Sequence, residues 1–208
     1  MKLIDFFKNY KGLPHQDKAI EQLDFLIHPE VMTAAQPWYK TWSTPPSAPA
    51  TTTANYAPAV QLIKEYEGCV LKAYPDPGTG GDPWTIGYGN TFYPDGAKVK
   101  PGDVINKDKA TELLYGEVNR IAKILESKIP AWKELNNNQR SALISFSYNV
   151  GPYWYNSDGF GTISRTIASR LWKNVPDVLK LYVNPGTSVT VGLTRRRIAE
   201  GNLWFKPV

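Results

Sequence analysis

Residues 67–91 read EGCVLKAYPDPGTGGDPWTIGYGNT. Two β-prone runs, VLKAY at 70–74 and WTIGYG at 84–89, flank a segment rich in glycine and proline. That order predicts an antiparallel hairpin with a long connection. Upstream, Val60, Ile63, Lys64 and Glu67 fall on neighbouring turns of a helix that starts near Tyr56, and Gly68 supplies its stop. Glu67 therefore ends a helix. Asp76 follows nine residues later, between Pro75 and Pro77, and Thr85 opens the run TIGYG.

Working outward, FYPDGAKVKPGDVI at 92–105 predicts a third strand and a loop. Asn106 is a natural N-cap for a helix over 107–129. Leu114, Val118, Ile121, Leu125 and Ile129 give that helix one apolar stripe, and Pro130 closes it. LNNNQRSALISFSYNVG at 135–151 predicts a second helix, capped by an asparagine of the 136–138 run. Ala142, Leu143, Phe146 and Val150 point inward and Gly151 is the stop. TISRTIASRLWK predicts another helix, and LTRRRIAEGNLWF the C-terminal one. A helix, a small sheet and then a run of helices is an α+β order, with a small antiparallel β lobe and a larger helical lobe.

In the other direction, residues 44–55, TPPSAPATTTAN, form an uncharged linker stiffened by proline. Residues 1–43 predict a small helical module, with Ala19, Ile20, Leu23, Leu26 and Ile27 at helical spacing. Its Trp38 and Trp42 serve either its own core or a face that stacks on sugars. The N-terminus has no apolar h-region, and no run approaches the roughly 18 apolar residues of a membrane span. The expectation is a protein without stable membrane insertion.

Net charge is +5 over 208 residues. The five lysines of residues 1–43 are matched by five acids, so the excess lies in the remainder. A basic domain suits an anionic polymer, either nucleic acid or an acidic cell wall. No nucleic-acid-binding motif accompanies the charge. Both histidines, His15 and His28, precede the linker. The large domain therefore cannot run Ser-His or Cys-His chemistry, and it lacks the histidine ligands of a zinc hydrolase. Carboxylates remain for acid–base work, with no metal or cofactor. Cys69 is the one cysteine, and it reads as a small buried apolar residue.

A glycosidase needs an acid for the leaving oxygen and a second group that activates or replaces water. Glu67 sits where the helix dipole opposes negative charge, which suits a proton donor. Asp76, its backbone fixed by flanking prolines, suits a group that holds a water, and Thr85 could offer its hydroxyl to the same water. A glutamate at a helix end and an aspartate between prolines are common, so these residues alone leave a purely structural role open.

The stretch EGCVLKAYPDP…WTIGYGNT resembles that of the phage-type lysozymes, glycoside hydrolase family 24. LNNNQRSALISFSYNVG is similar to that family's central helix, and GLTRRRIAEGNLWF to its arginine-rich C-terminal helix. The resemblance covers about residues 56–208. It implies a lysozyme-like fold and a muramidase that cuts the β-1,4 bond from N-acetylmuramic acid to N-acetylglucosamine, acting as an endolysin. It also implies that Glu67 is the acid, Asp76 the carboxylate opposite it, and Thr85 the threonine that helps hold the water. Among the arginines, Arg195 is expected to pair with Glu67. Tyr74, Tyr88, Asn90, Tyr148 and Asn149 are the further candidates for contact with substrate.

Two positions depart from the family pattern. Eight residues separate Asp76 from Thr85, where about five are usual, which makes Asp82 a rival to Asp76. Asn90 stands where the family usually has histidine. The Asp76–Thr85 pair favours hydrolysis over a lytic transglycosylase reaction, and the resemblance favours inversion. A non-catalytic wall-binding virion protein is the alternative from another class. The expected partner is peptidoglycan and not nucleic acid. The expected state is a monomer, held in the host cytoplasm until a holin releases it to the wall.

Overall fold

The computed structural model describes residues 56–76 and 79–207. The expectations for residues 1–43 and 44–55 lie outside the described residues. Two compact units emerge, one built from residues 68–114 and the other from residues 56–67 and 115–207. The fold is α+β, as the order of elements predicted.

In the first unit, β1 (Val70–Tyr74) pairs antiparallel with β2 (Thr85–Gly87). Val70 faces Gly87 and Tyr74 faces Thr85, so β1 carries extra residues between the two pairs. Such an irregularity bends a strand and increases its twist. The expected third strand is reduced to bridges, Lys72 with Val104 and Phe92 with Lys98. The reason lies in its sequence. Pro94 and Pro101 have no N–H to give a ladder, and Gly96 and Gly102 take positive φ angles of 82° and 87°. The free edge of β1 is still covered, because the Ala73 N–H donates to the Asp103 carbonyl at 2.8 Å and the Ile105 N–H to Leu71 at 2.9 Å.

A tight turn follows β2. Ile86 and Asn90 exchange two backbone hydrogen bonds of 2.9 Å around Gly87, Tyr88 and Gly89. Both glycines are at positive φ, 67° and 109°, which L-residues rarely adopt. Ala73, Ile86, Val99 and Leu113 form the core of this unit, with Trp84, Tyr93 and Ile105 packed against it.

Tyr93 braces the loop by donating from its hydroxyl to Asp103 at 3.0 Å. Burial first, and then the Asp103 acceptor, push the Tyr93 phenol up to about 12. The folded value lies above the ordinary one of 10, so the neutral phenol supports folding in full below pH 10. That support fades as pH rises through about 12. Alkaline titration by tyrosinate absorbance should show Tyr93 among the late-ionising phenols, and Tyr93→Phe should remove one phenol from that late step.

Helix α2 (Lys107–Lys128) begins in the first unit and continues in the second. Asn106 caps it by accepting from the Lys109 N–H at 2.8 Å. Its stripe of Leu114, Val118, Ile121 and Leu125, continued by Ile129, is fully buried.

The second unit also holds α1 (Ala57–Glu67), α3 (Asn137–Val150), α4 (Gly161–Ala168), α5 (Val175–Leu179) and α6 (Thr190–Phe205). The central element is α3, packed against α1 and α6. Every residue from Ser141 to Ser147 is buried, so the helix is enclosed all round rather than on one stripe. Ser145 and Ser147 tolerate burial by bonding, whereas the Ser141 hydroxyl has no hydrogen-bond partner. Ser147 donates to the Leu143 carbonyl at 2.7 Å and accepts from the Trp154 indole at 2.7 Å. Phe146 sits edge-on to Trp154 and Tyr182, and Tyr182 stacks on Phe160 with ring centres 5.0 Å apart. Val150, expected inward, is only half-buried as the last residue of α3.

The start of α3 is a capping box. Asn136 accepts from the Gln139 N–H at 2.9 Å, and the Gln139 side chain accepts from the Asn136 N–H at 2.9 Å. Asn136→Ala should cost about 1 kcal/mol, a fall in Tm of about 2–4 °C that calorimetry would read.

The helix expected over 162–173 ends early, at Ala168. Arg170 turns to φ 57° and Trp172–Asn174 continue as a short 3-10 turn. Helix α6 begins three residues before the stretch that predicted it.

Candidate functional site

The predicted site residues fall into two groups, one on each unit. In the helical unit, Glu67 is the last residue of α1, and Gly68 follows at φ 68°. Its carboxylate accepts from Arg196 Nη1 at 2.5 Å. The Glu67 side chain keeps 26% of its surface exposed, whereas Arg196 keeps 4%. The acid thus meets solvent while its cationic partner is buried.

Arg196, and not the expected Arg195, makes this pair. Arg195 is exposed, and its backbone carbonyl accepts from the Tyr66 hydroxyl at 3.2 Å. Three consecutive arginines point in directions about 100° apart on a helix, so only packing selects the one that faces α1. A signal was nevertheless present. Arg197, Glu200, Gly201 and Trp204 are spaced as one helical face, and all four are buried. Arg196 borders that face and Arg195 leaves it.

Behind Arg196 lies a buried network that the residue spacing alone did not reveal. Arg196 Nη2 donates to the Ser145 carbonyl at 3.0 Å, and its Nε donates to Glu200 at 3.3 Å. Glu200, with no exposed surface, also accepts from the Ser145 hydroxyl at 2.9 Å and from Arg197. Arg197 donates to the Tyr182 carbonyl at 3.1 Å and to Asn149, and lies over the Phe146 ring at 4.7 Å. Burial pushes the Glu200 carboxyl up, while Arg197, Arg196 and the Ser145 hydroxyl pull it back. Burial likewise lowers the Arg197 guanidinium, against the pull of Glu200. The network fixes both ends of the guanidinium that reaches Glu67.

Two other candidates of this unit lie at the end of α3. Asn149 is exposed, yet its side-chain oxygen is taken by Arg197. Tyr148 is half-buried and already engaged.

In the β unit, Asp76 follows β1 and organises the connection. Its side chain accepts from the Thr79 N–H at 3.0 Å. Its own N–H donates to Gly81 at 3.0 Å, and its carbonyl accepts from Gly80 at 2.8 Å. Its rival Asp82 is exposed further along the loop, before the cis Asp82–Pro83 bond. Thr85 starts β2, half-buried and facing Tyr74 across the ladder. The hairpin therefore brings Asp76, two residues beyond Tyr74, to the same end of the sheet as Thr85.

Tyr88 and Asn90 are both buried. Tyr88 is 3% exposed at the turn, so its ring is packing and offers no face to a sugar. Burial, together with Cys69, raises its phenol. Asn90 is 9% exposed, and its side-chain oxygen has no hydrogen-bond partner. Cys69, expected to be buried, is exposed, because it lies beyond the helix stop at the start of the sheet. Among the described residues, no group of three or more histidine, cysteine or acidic side chains could hold a metal ion, and no helix is long and apolar enough to cross a membrane.

The phage lysozyme family matches residues 64–200. The endolysin of Lactococcus phage c2 is 32% identical over 150 residues, covering 72% of this chain and 59% of that relative. The chain thus spans less than two thirds of that protein's length. The endolysin of Salmonella phage P22 is 32% identical over 138 residues, covering 66% of this chain and 89% of the relative. Among solved structures, the muramidase domain of SpmX from Asticaccaulis excentricus superposes with a TM-score of 0.59 at 27% identity, covering 73% of this chain and 97% of that domain. The matched residues include Glu67, the β1–β2 hairpin, α3 and the arginines of α6, and the chain belongs to the phage lysozyme family.

Proposed function

We propose that the chain is a muramidase of the endolysin type. It hydrolyses the β-1,4 bond between N-acetylmuramic acid and N-acetylglucosamine in peptidoglycan. The observation that carries this reading is Glu67 itself, a partly exposed carboxylate at a helix end, held by a buried arginine, within a chain of the phage lysozyme family. In this reading Glu67 protonates the leaving oxygen. Asp76 and Thr85 hold and orient the attacking water, which enters from the opposite face of the sugar and inverts the anomeric centre. Arg196 keeps the Glu67 side chain in one rotamer. Tyr74, beside Thr85, is the aromatic placed to flank a sugar ring.

Mass spectrometry of digested peptidoglycan tests the reaction. New reducing ends are the expected product. Anhydro-muramic ends would make the chain a lytic transglycosylase, and wall binding without cleavage would make it a non-catalytic wall protein. In the same reading the protein acts as a monomer and waits in the host cytoplasm for a holin to open the route to the wall. Residues 1–43 target it to the polymer. Deleting residues 1–50 should lower activity on whole walls and spare activity on soluble fragments.

A further inference from the structure

The β unit contains a pocket of about 230 Å³ between residues 82–84 and the hairpin 91–99. Trp84, Phe92 and Val99 form its apolar part, Thr91 adds a hydroxyl, and Asp82 and Lys98 add charges of opposite sign. The site is built rather than incidental. Phe92 and Lys98 are bridge partners, and the Val99 N–H donates to the Thr91 carbonyl at 2.9 Å, which holds one wall. Trp84, packed against the core of the unit, holds the other. Asp82 and Lys98 are exposed, and neither forms an ion pair among the described residues. The pocket borders the proposed water-holding residues, because Trp84 precedes Thr85 in the chain. The lengthened connection between Asp76 and Thr85 supplies Asp82 and Pro83.

We propose that this pocket binds the peptide stem of the wall polymer, an inference that rests on peptidoglycan being the substrate. The volume gives room for one or two small residues or for a sugar ring, so the charges of its lining decide between them. N-acetylated sugars are neutral at their ring and amide groups, so they offer Asp82 and Lys98 hydrogen bonds but no opposite charge. A stem peptide carries a free amino group on its diamino acid, carboxylates on its γ-linked glutamate and its C-terminal alanine, and methyl side chains. Those groups match an acid, a base and an apolar floor in one small pocket.

The test follows the Trp84 indole N–H signal by NMR in the full chain. The probe is a synthetic alanyl-γ-glutamyl-lysyl-alanine tetrapeptide, with chitotetraose as the comparison. The expected result is saturable binding of the tetrapeptide, weakened about tenfold or more by Lys98→Glu. The substitution lies on an exposed side chain, so thermal unfolding should confirm an unchanged fold. Absence of saturable binding overturns the proposal. So does equal affinity in the Lys98→Glu protein, or an equal response to chitotetraose, which would make the pocket a sugar site. Binding is read without hydrolysis. A chain that binds the tetrapeptide but leaves walls uncut sinks only the muramidase reading, and one that cuts walls without binding it sinks only the pocket.

Discussion

Glu67→Gln should lower the rate of peptidoglycan cleavage by about 10²–10⁴-fold, the range set by loss of a positioned acid. The geometry makes this substitution informative. The glutamine oxygen can still accept from Arg196 Nη1, so the side chain keeps its place. Arg196 keeps Glu200 and the Ser145 carbonyl as partners, so it is not left as an isolated buried charge. The glutamine lacks an acidic proton, and that is the property the reaction needs. Stability should therefore change little while the chemistry stops. Release of reducing ends, measured beside a thermal melt, separates the two. A glutamine protein that cleaves at the wild-type rate would remove Glu67 from the mechanism.

The largest stability effect is expected from Glu200→Ala. Glu200 has no exposed surface and is the anion shared by Arg196 and Arg197, themselves 4% and 0% exposed. Its removal leaves two buried guanidiniums with fewer partners and leaves the Ser145 hydroxyl without its acceptor. Breaking a buried ion pair from one side costs about 3–5 kcal/mol. For a chain of this size the fall in Tm is roughly 10 °C. The salt bridge of Arg170 with Glu134, at 2.6 Å, is a fair contrast because both side chains are about half exposed. Glu134→Ala should shift Tm by no more than about 3 °C. Equal shifts for the two substitutions would mean that burial is not what gives the Glu200 network its weight.

Local features were the ones legible in the sequence. The Asn106 cap, an asparagine cap within 136–138, the stripe from Leu114 to Ile129 and the glycine stops at 68 and 151 all rest on interactions within a few residues, and all appear in the fold. Glu67 at a helix end and Thr85 at a strand start were likewise readable. What stayed hidden depends on partners distant in sequence. Which of three adjacent arginines meets Glu67 is settled by how α6 lies on α1 and α3. The burial of Tyr88 depends on packing around a turn at 86–90 that cuts short the strand-like run read over 84–89. The missing third strand is the opposite case, because the prolines and glycines that interrupt it are local and outweigh the β-prone residues between them. Family resemblance gave Glu67 a catalytic expectation that its local setting could not. It did not distinguish Arg195 from Arg196.

The pairing of Glu67 with Arg196 joins residues 129 positions apart. During synthesis the glutamate emerges first and must wait for its partner. At ordinary elongation rates the delay is on the order of ten seconds. Helix α1 can form in that interval, but the guanidinium that positions its terminal carboxylate does not yet exist. Closing so long a loop is also a late and slow step of folding. The ribosome therefore imposes an order of assembly in which the acid is completed after most of the scaffold. A nascent chain, or one truncated before α6, would carry Glu67 without the contact that holds it. In the proposed muramidase, such a sequence of events makes competence wait for α6.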